Sequence, residues 1–410
     1  MKKALLVIMI IALAVSAFAM GAKEATGTAP AGAAPIKIGA TWPLADITGK
    51  QGSMAAQQAV DEINAAGGVL GRKLELIVVD DELKADKGAA AIEKLVTVDN
   101  VDLLIGGMAS GVALGQIPVM KKYAKVVIST GAASYKVEEG LGAEADWYFH
   151  LHPWDYNQGQ SYADGWEAIQ KKFGNVKIQK IFLAYEEGAF GKASFDASKT
   201  LFGGRYTFDG APFKSAAFGG GDYASVLEAA KKYGPDLFLW AGYDADALPM
   251  LEQAKAMKFN PGIYLGAPPG WPADFGKSPL AENVMLYGMW APSINGVSPA
   301  SKKFYDGFMA KYNTEPATYF APLSYSAVYI AADAIKRAGS TDTAALIKAL
   351  AATNYASPLG QTITFTPSNI IKHQGVKNQK ILQWQKGRQE VIWPFESATA
   401  APVYPFPAWK

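Results

Sequence analysis

The sequence predicts an α/β protein made of two units, each a parallel sheet covered by helices on both faces. Short apolar runs alternate with stretches of helical periodicity from Ile36 onward, and this alternation restarts near Lys177. The chain is 410 residues long, which at roughly 100 to 200 residues per domain also fits two units.

In the first unit, IKIGATWPL reads as a strand and loop, GSMAAQQAVDEINAAGG as a helix closed by glycine, and KLELIVVDD as a strand. KGAAAIEKLVTVDN is then helical and VDLLIGG is a strand, an order in which each strand returns parallel to the last. In the second unit, KIQKIFLAYEE is a strand, GKASFDASKTLF and YASVLEAAKKYG are helices, and DLFLWAGY is a strand. ALPMLEQAKAMKF and GIYLGAP continue as helix and strand. The later helices ASKKFYDGFMAKYN, SYSAVYIAADAIKRAG and TDTAALIKALAAT, with the short strand QTITFTP, form no compact body alone and should complete the two units. The proline- and aromatic-rich end, 396–410, should lie over the surface as an extended strap.

Residues 1–19 carry Lys2 and Lys3, an apolar core and the small-x-small run Ala17-Phe18-Ala19, the pattern of a cleaved export signal. The uninterrupted apolar stretch from Ala4 to Val15 is shorter than the ~20 residues of a spanning helix. Residues 20–35 are rich in Ala, Gly, Thr and Pro, a tether composition. The expected location is therefore periplasmic or extracytoplasmic. The sequence has no cysteine, which excludes disulfides, thiol catalysis and a cysteine-linked lipid anchor. Of 39 basic residues two lie in the signal, so the mature chain balances 37 against 37 acids, and no global charge draws it to nucleic acid.

The run LLIGGMASGVALGQIPVM, from Leu103, leaves a buried strand through glycines and enters a helix. Such a corner presents unpaired N–H groups beside the positive end of a helix dipole, a seat for a phosphate, an enzymatic oxyanion or a solute carboxylate. No Gly-Lys-Ser/Thr follows it and no G-x-G-x-x-G spacing occurs, which argues against nucleotides. A hydrolase elbow needs G-x-S-x-G, and in GGMASG the serine stands one place late, with only three histidines in the chain to act as base. His150 and His152 could share one strand face as metal ligands, but no third ligand accompanies them.

The runs DEINAAGGVLGRKLELIVVDDELKADKGAAAIEKLV, GGMASG, ISTGAAS, WAGYDADALPMLEQAKAMKFNP and SYSAVYIAADAIKRAG together resemble a periplasmic solute-binding protein of the leucine/isoleucine/valine type, which serves ABC importers. The resemblance covers Ile36 to about Trp393. It implies two Rossmann-like lobes joined by a three-strand hinge, the type I periplasmic binding fold. Lobe one is placed at 36–155 plus 289–372 and lobe two at 156–288 plus 373–395. It also implies a monomer without cofactor or catalysis, with a small carboxylate solute and an inner-membrane ABC permease as partners. A ligand-sensing partner of a membrane receptor would use the same fold.

By the same resemblance, Ser110 and Gly111 cradle the solute carboxylate, helped by Ala132 and Ser134 in the next turn. Tyr243 and Phe190 face the cleft from lobe two, Phe190 standing where the family usually has tyrosine. Trp42 and Phe320 belong near the pocket, and Gln51 occupies a position often aromatic. The family's amino-acid binders pair the ligand ammonium with a carboxylate after a lobe-two strand. Here that turn is LGAPPGWPADF, with Pro268 and Pro269 in place of the acid and Trp271 beyond them. Asp155, Asp244, Asp246 and Asp274 are the possible substitutes. A buried ammonium without a partner is costly, so the expected solute is a carboxylate with an apolar or aromatic body, such as an aryl or 2-oxo acid.

Overall fold

The structure, a computed structural model, describes residues 34–272 and 274–409; the signal and nearly all of the tether expected from the sequence lie outside them. Among the described residues no helix is long and apolar enough to cross a membrane.

The first unit runs β1 (Ile36–Trp42), α1 (Ile47–Ala65), β2 (Leu74–Asp80), α2 (Ala85–Thr97), β3 (Leu103–Gly106), α3 (Ser110–Tyr123), β4 (Val127–Ser129), α4 (Tyr135–Leu141) and β5 (Tyr148–His150). Its sheet has the order β2-β1-β3-β4-β5, all parallel. Parallel strands covered on both faces must be apolar throughout, and β3, β4 and β5 are buried at every residue. α1 begins earlier than its apolar pattern suggests because Asp46 caps it, accepting from Thr48 N–H at 2.7 Å.

The second unit follows as α5 (Asp155–Lys172), β6 (Lys180–Glu186), α6 (Ala189–Phe202), β7 (Thr207–Phe213), α7 (Ala224–Tyr233), β8 (Leu237–Ala241), α8 (Ala247–Ala256), β9 (Ile263–Gly266) and β10 (Met285–Gly288). Its sheet has the order β14-β13-β10-β9-β8-β6-β7. Two features escape the sequence pattern. β7 contains Asp209, Gly210 and Pro212 and shows no strand pattern in the sequence, yet as the sheet's edge strand it tolerates a proline that donates nothing. The sheet is also mixed rather than parallel: β13 (Lys380–Gln385) and β14 (Arg388–Trp393) form an antiparallel hairpin. Lys386 and Gly387 both take positive φ, 53° and 74°, as a tight two-residue turn between right-twisted strands requires.

Between β10 and β13 lie α9 (Pro299–Tyr312), α10 (Phe320–Ala338), α11 (Thr343–Ala351) and the small pair β11 (Tyr355–Ala356) and β12 (Thr362–Ile363). α10 packs along α1 and so completes the first unit. The last residues cover the second: Phe406 and Trp409 lie 4.9 Å from the Tyr264 ring, and Phe406 N–H donates to Gly262 O.

The chain passes between the sheets three times, after β5, after β10 and before β13. The first and third passages are zipped together: His150 N–H donates to His373 O at 2.9 Å and Gly375 N–H to His150 O at 2.7 Å. Gln374, fully buried, donates from Nε2 to His152 O and Val376 O, and its Oε1 lies 3.1 Å from His150 Nδ1. The histidines are thus engaged in this seam.

Candidate functional site

β3 delivers the chain to Gly106 and Gly107 at φ 100° and 87°, and a Cβ at Gly106 would stand 2.9 Å from the Trp42 ring. The chain then enters α3 at Ser110 without a side-chain cap. The first helical bond runs from Ala113 N–H to Ala109 O, so the N–H groups of Ser110, Gly111 and Val112 precede the ladder. After β4 the chain makes a second turn through Ala132, held at φ 69° with its N–H donating to Met108 O at 2.8 Å. Ser134 N–H donates to Ser110 Oγ at 3.2 Å, tying the two turns together.

These turns form one wall of a narrow cavity between the lobes. Met108, Ala109, Ser110, Ala132, Ala133, Tyr319 and Phe320 line it from the first unit, and Phe190, Tyr243, Ala267, Pro269 and Tyr287 from the second. His152, Gln158, Tyr162 and Gln379, from the passages and α5, complete it. Its polar groups largely answer one another. His152 Nδ1 lies 2.9 Å from Pro153 O, an acceptor only, so Nδ1 carries the proton and Nε2 accepts from Tyr319 O–H at 3.1 Å. Gln158 Nε2 donates to Pro153 O, and Tyr162 Oη lies within hydrogen-bond reach of the side-chain oxygens of Gln158 and Gln379, its single proton shared between them. Tyr162 stacks on Tyr287, whose Oη accepts from Trp166 Nε1 at 2.8 Å.

Burial pushes the His152 imidazole down to about 3, with His150 adding to the effect, so the ring is neutral. Burial raises the Tyr162, Tyr243 and Tyr287 phenols above their ordinary range. No Asp, Glu, Lys or Arg lines the cavity among the described residues.

Of the residues singled out in the sequence, Ser110, Ala132, Phe190, Tyr243 and Phe320 line this cavity. Gly111 lines an adjoining space instead. Four others stand elsewhere. Ser134 offers its Oγ to Lys136 N–H at 3.3 Å as the cap of α4. Trp42 is wholly buried against Gly106 and Gly52. Gln51 grips the 315–317 loop, donating to Glu315 O at 2.9 Å and accepting from Ala317 N–H at 2.6 Å. Trp271 is core, between Trp240, Phe275 and Trp384.

The Pro268-Pro269 turn docks on the first unit: Thr318 Oγ1 donates to Pro269 O at 2.8 Å, and a Cβ on Gly270 would meet Thr48 Oγ1 at 2.7 Å. None of the four candidate acids joins the lining. Asp246, fully buried, accepts from Ser215 Oγ, Ala216 N–H, Tyr223 O–H and Tyr243 N–H. Asp155 holds the N–H groups of Tyr135 and Tyr156. Asp274 pairs with Lys277 on the surface. Asp244 lies beside Asp46 of the opposite lobe, and burial, then this neighbour, raise the Asp46 carboxyl to about 7. Gln158, Tyr162, Tyr287, Tyr319 and Gln379 are lining residues that the sequence did not announce, and His152 was weighed there only as a metal ligand; they come from crossings, a helix face and strand β10 with no binding motif of their own. The Tyr319-Phe320 neighbourhood was the one visible hint.

Residues 35–389, most of the chain, match the family model described as periplasmic binding protein. The Leu/Ile/Val-binding protein homolog 7 of Brucella abortus (strain 2308) is 24% identical, over 95% of this chain and 97% of its own. The branched-chain amino acid substrate-binding protein LivJ of Streptococcus pneumoniae, solved with isoleucine, superposes with a TM-score of 0.73 at 25% identity, over 90% of this chain and 100% of that one. A solute-binding protein of an ABC transporter from R. palustris, solved with benzoate, gives 0.73 at 20% identity, over 91% and 98%. One parallel and one mixed sheet, three passages between them and a cavity between the lobes agree with these matches, and the chain belongs to the periplasmic binding protein family.

Proposed function

We propose that this protein is the extracytoplasmic solute-binding component of an ABC importer and that its solute is a carboxylate with an uncharged, apolar or aromatic body. One observation carries the solute class: the cavity combines helix-start N–H groups and Ser110 on one wall with neutral phenol, imidazole and amide groups opposite, and no carboxylate. N–H donors suit an anion, each charge-assisted bond being worth about 1.5 to 3 kcal/mol. An α-ammonium would be buried there without a counter-charge. Tyr162 and Tyr319 already donate their protons, so their oxygens keep lone pairs for a hydroxyl or amide on the solute.

The solute acts by touching both lobes, since only a ligand that binds the closed form better can shift the population toward it. The three passages are the hinge in this reading, with the lobes dividing near residues 155, 288 and 373. The relatives' names and the bound leucine-type and benzoate ligands support import of small carboxylates and a permease partner. Calorimetry with leucine, isoleucine, valine, benzoate, phenylacetate and phenylpyruvate tests it. Binding of the aromatic and 2-oxo acids with silence toward the amino acids is expected; tight leucine or valine binding with no response to the others overturns the solute class.

A further inference from the structure

A second, more open chamber of about 330 Å³ adjoins the cavity and shares Ala109 and Tyr243 with it. Leu83, Ala85 and Val112 wall it from the first lobe, and Ala189 and Phe218 from the second, with Glu186 and Glu187 and Lys214 around them. The Glu186 carboxylate is engaged by the N–H groups of Gly188 and Gly191 at 2.6 and 2.7 Å. Two further features border this chamber. Phe218 stands 43% exposed, edge-on to Tyr243 at 5.2 Å and 88°, a large aromatic left half in water at the mouth of a cleft. Gly111 has no atom within 4 Å of where a Cβ would stand and needs no left-handed backbone, so the space above it is open rather than packed.

Consecutive residues of α3 therefore face different rooms: Ser110 lines the inner cavity and Gly111 the outer chamber. A carboxylate held at the start of α3 sits at the partition, and substituents on its α-carbon have two directions to take. One direction is the neutral inner cavity. The other is a largely apolar space walled by both lobes, with Glu187 and Lys214 among its lining.

Resting on the reading that the solute is a carboxylate held at Ser110, we propose that the preferred solutes are carboxylates whose α-nitrogen is acylated, with the side chain in the inner cavity and the acyl arm past Tyr243 in the outer chamber. Acylation removes the ammonium charge for which the cavity has no partner, and it adds the apolar arm for which the outer chamber has room. An arm in contact with Leu83 and Phe218 touches both lobes and so favours the closed form.

Calorimetry with phenylacetate, N-acetylphenylalanine, N-butanoylphenylalanine and N-hexanoylphenylalanine tests this. Affinity should rise along the acyl series by up to about fourfold per buried methylene. Phe218→Ala, at an exposed position, should flatten that rise while leaving phenylacetate affinity within about twofold, and Gly111→Leu should reverse the length preference by filling the chamber. If phenylacetate binds but affinity is independent of acyl length, or if both variants keep the rise, this inference fails and the carboxylate reading stands. If no carboxylate binds, both fail.

Discussion

The N–H of Ser134 donates to the Oγ of Ser110 over 3.2 Å, so two turns 24 residues apart in sequence are fastened at the cavity wall. One serine thereby lines the cavity while the other holds it in place and caps α4. The two hydroxyls have different work, and their removal should have different effects.

Ser110→Ala should weaken solute binding by about 10- to 100-fold, the loss of one charge-assisted hydrogen bond, and should also cost about 1 to 3 kcal/mol of stability, because the buried Ser134 N–H loses its acceptor. Ser134→Ala keeps the tying N–H and should cost about 1 kcal/mol of stability through the lost cap, with a smaller effect on affinity. Calorimetry and urea unfolding on both variants separate the two roles; equal affinity losses would show that Ser134 Oγ reaches the solute.

Gln51 and Trp271, expected near the solute from the resemblance, make contacts that hold the fold. Gln51→Ala leaves Glu315 O and Ala317 N–H without their partner and should lower stability by about 1 to 3 kcal/mol. Trp271→Ala empties a core site at 2% exposure and should cost about 3 to 5 kcal/mol. Denaturant midpoints check both. The ligand ranking in a solute panel should be unchanged in whichever variant stays folded at the assay temperature.

Asp246 accepts from four donors and thereby fixes the backbone of Tyr243, which both chambers share. Asp246→Asn replaces one acceptor oxygen by a donating amide facing donors, and should destabilise by about 2 to 4 kcal/mol. Its solute affinity should fall as well, because Tyr243 loses its anchor. Urea unfolding and calorimetry together test the link, and a variant with native stability and native affinity contradicts it.

Asp46 provides a pH signature. In the folded protein its carboxyl keeps a proton up to about 7, against 3.8 in the unfolded chain, so the folded state binds more protons between those values. Stability from this group therefore declines as pH rises from about 4 to 7. Asp46→Asn has no proton to lose and still presents an oxygen to Thr48 N–H. Its stability relative to the native protein should climb across that window, as urea midpoints at pH 4.5, 5.5 and 7 would report; a constant difference would show that Asp46 titrates normally.

The order of strands and helices was legible because apolar periodicity is local, and the GGMASG corner was legible because glycines at positive φ are demanded by the geometry there. The edge strand carrying Pro212 and the antiparallel hairpin at Lys386-Gly387 were not, since a strand's neighbours are long-range facts. Among the candidate site residues, Ser110, Ala132, Phe190, Tyr243 and Phe320 line the cavity. Trp42, Gln51, Trp271 and Ser134 are the same kinds of residue in the same kinds of turn, yet their side chains point into core, loop or cap.

What the sequence determined by itself was the alternation that makes two α/β units, the absence of thiols and the prolines at 268 and 269, which only the resemblance marks as standing in place of an acid. What only the tertiary structure decided was which side chains share a cavity. His152 and Tyr319, 167 positions apart, meet at 3.1 Å, and Gln158, Tyr162 and Gln379 converge across a crossing. Such contacts depend on how two sheets are set against each other by three passages, and no local pattern encodes a side chain's direction into a space that the distant parts of the chain enclose.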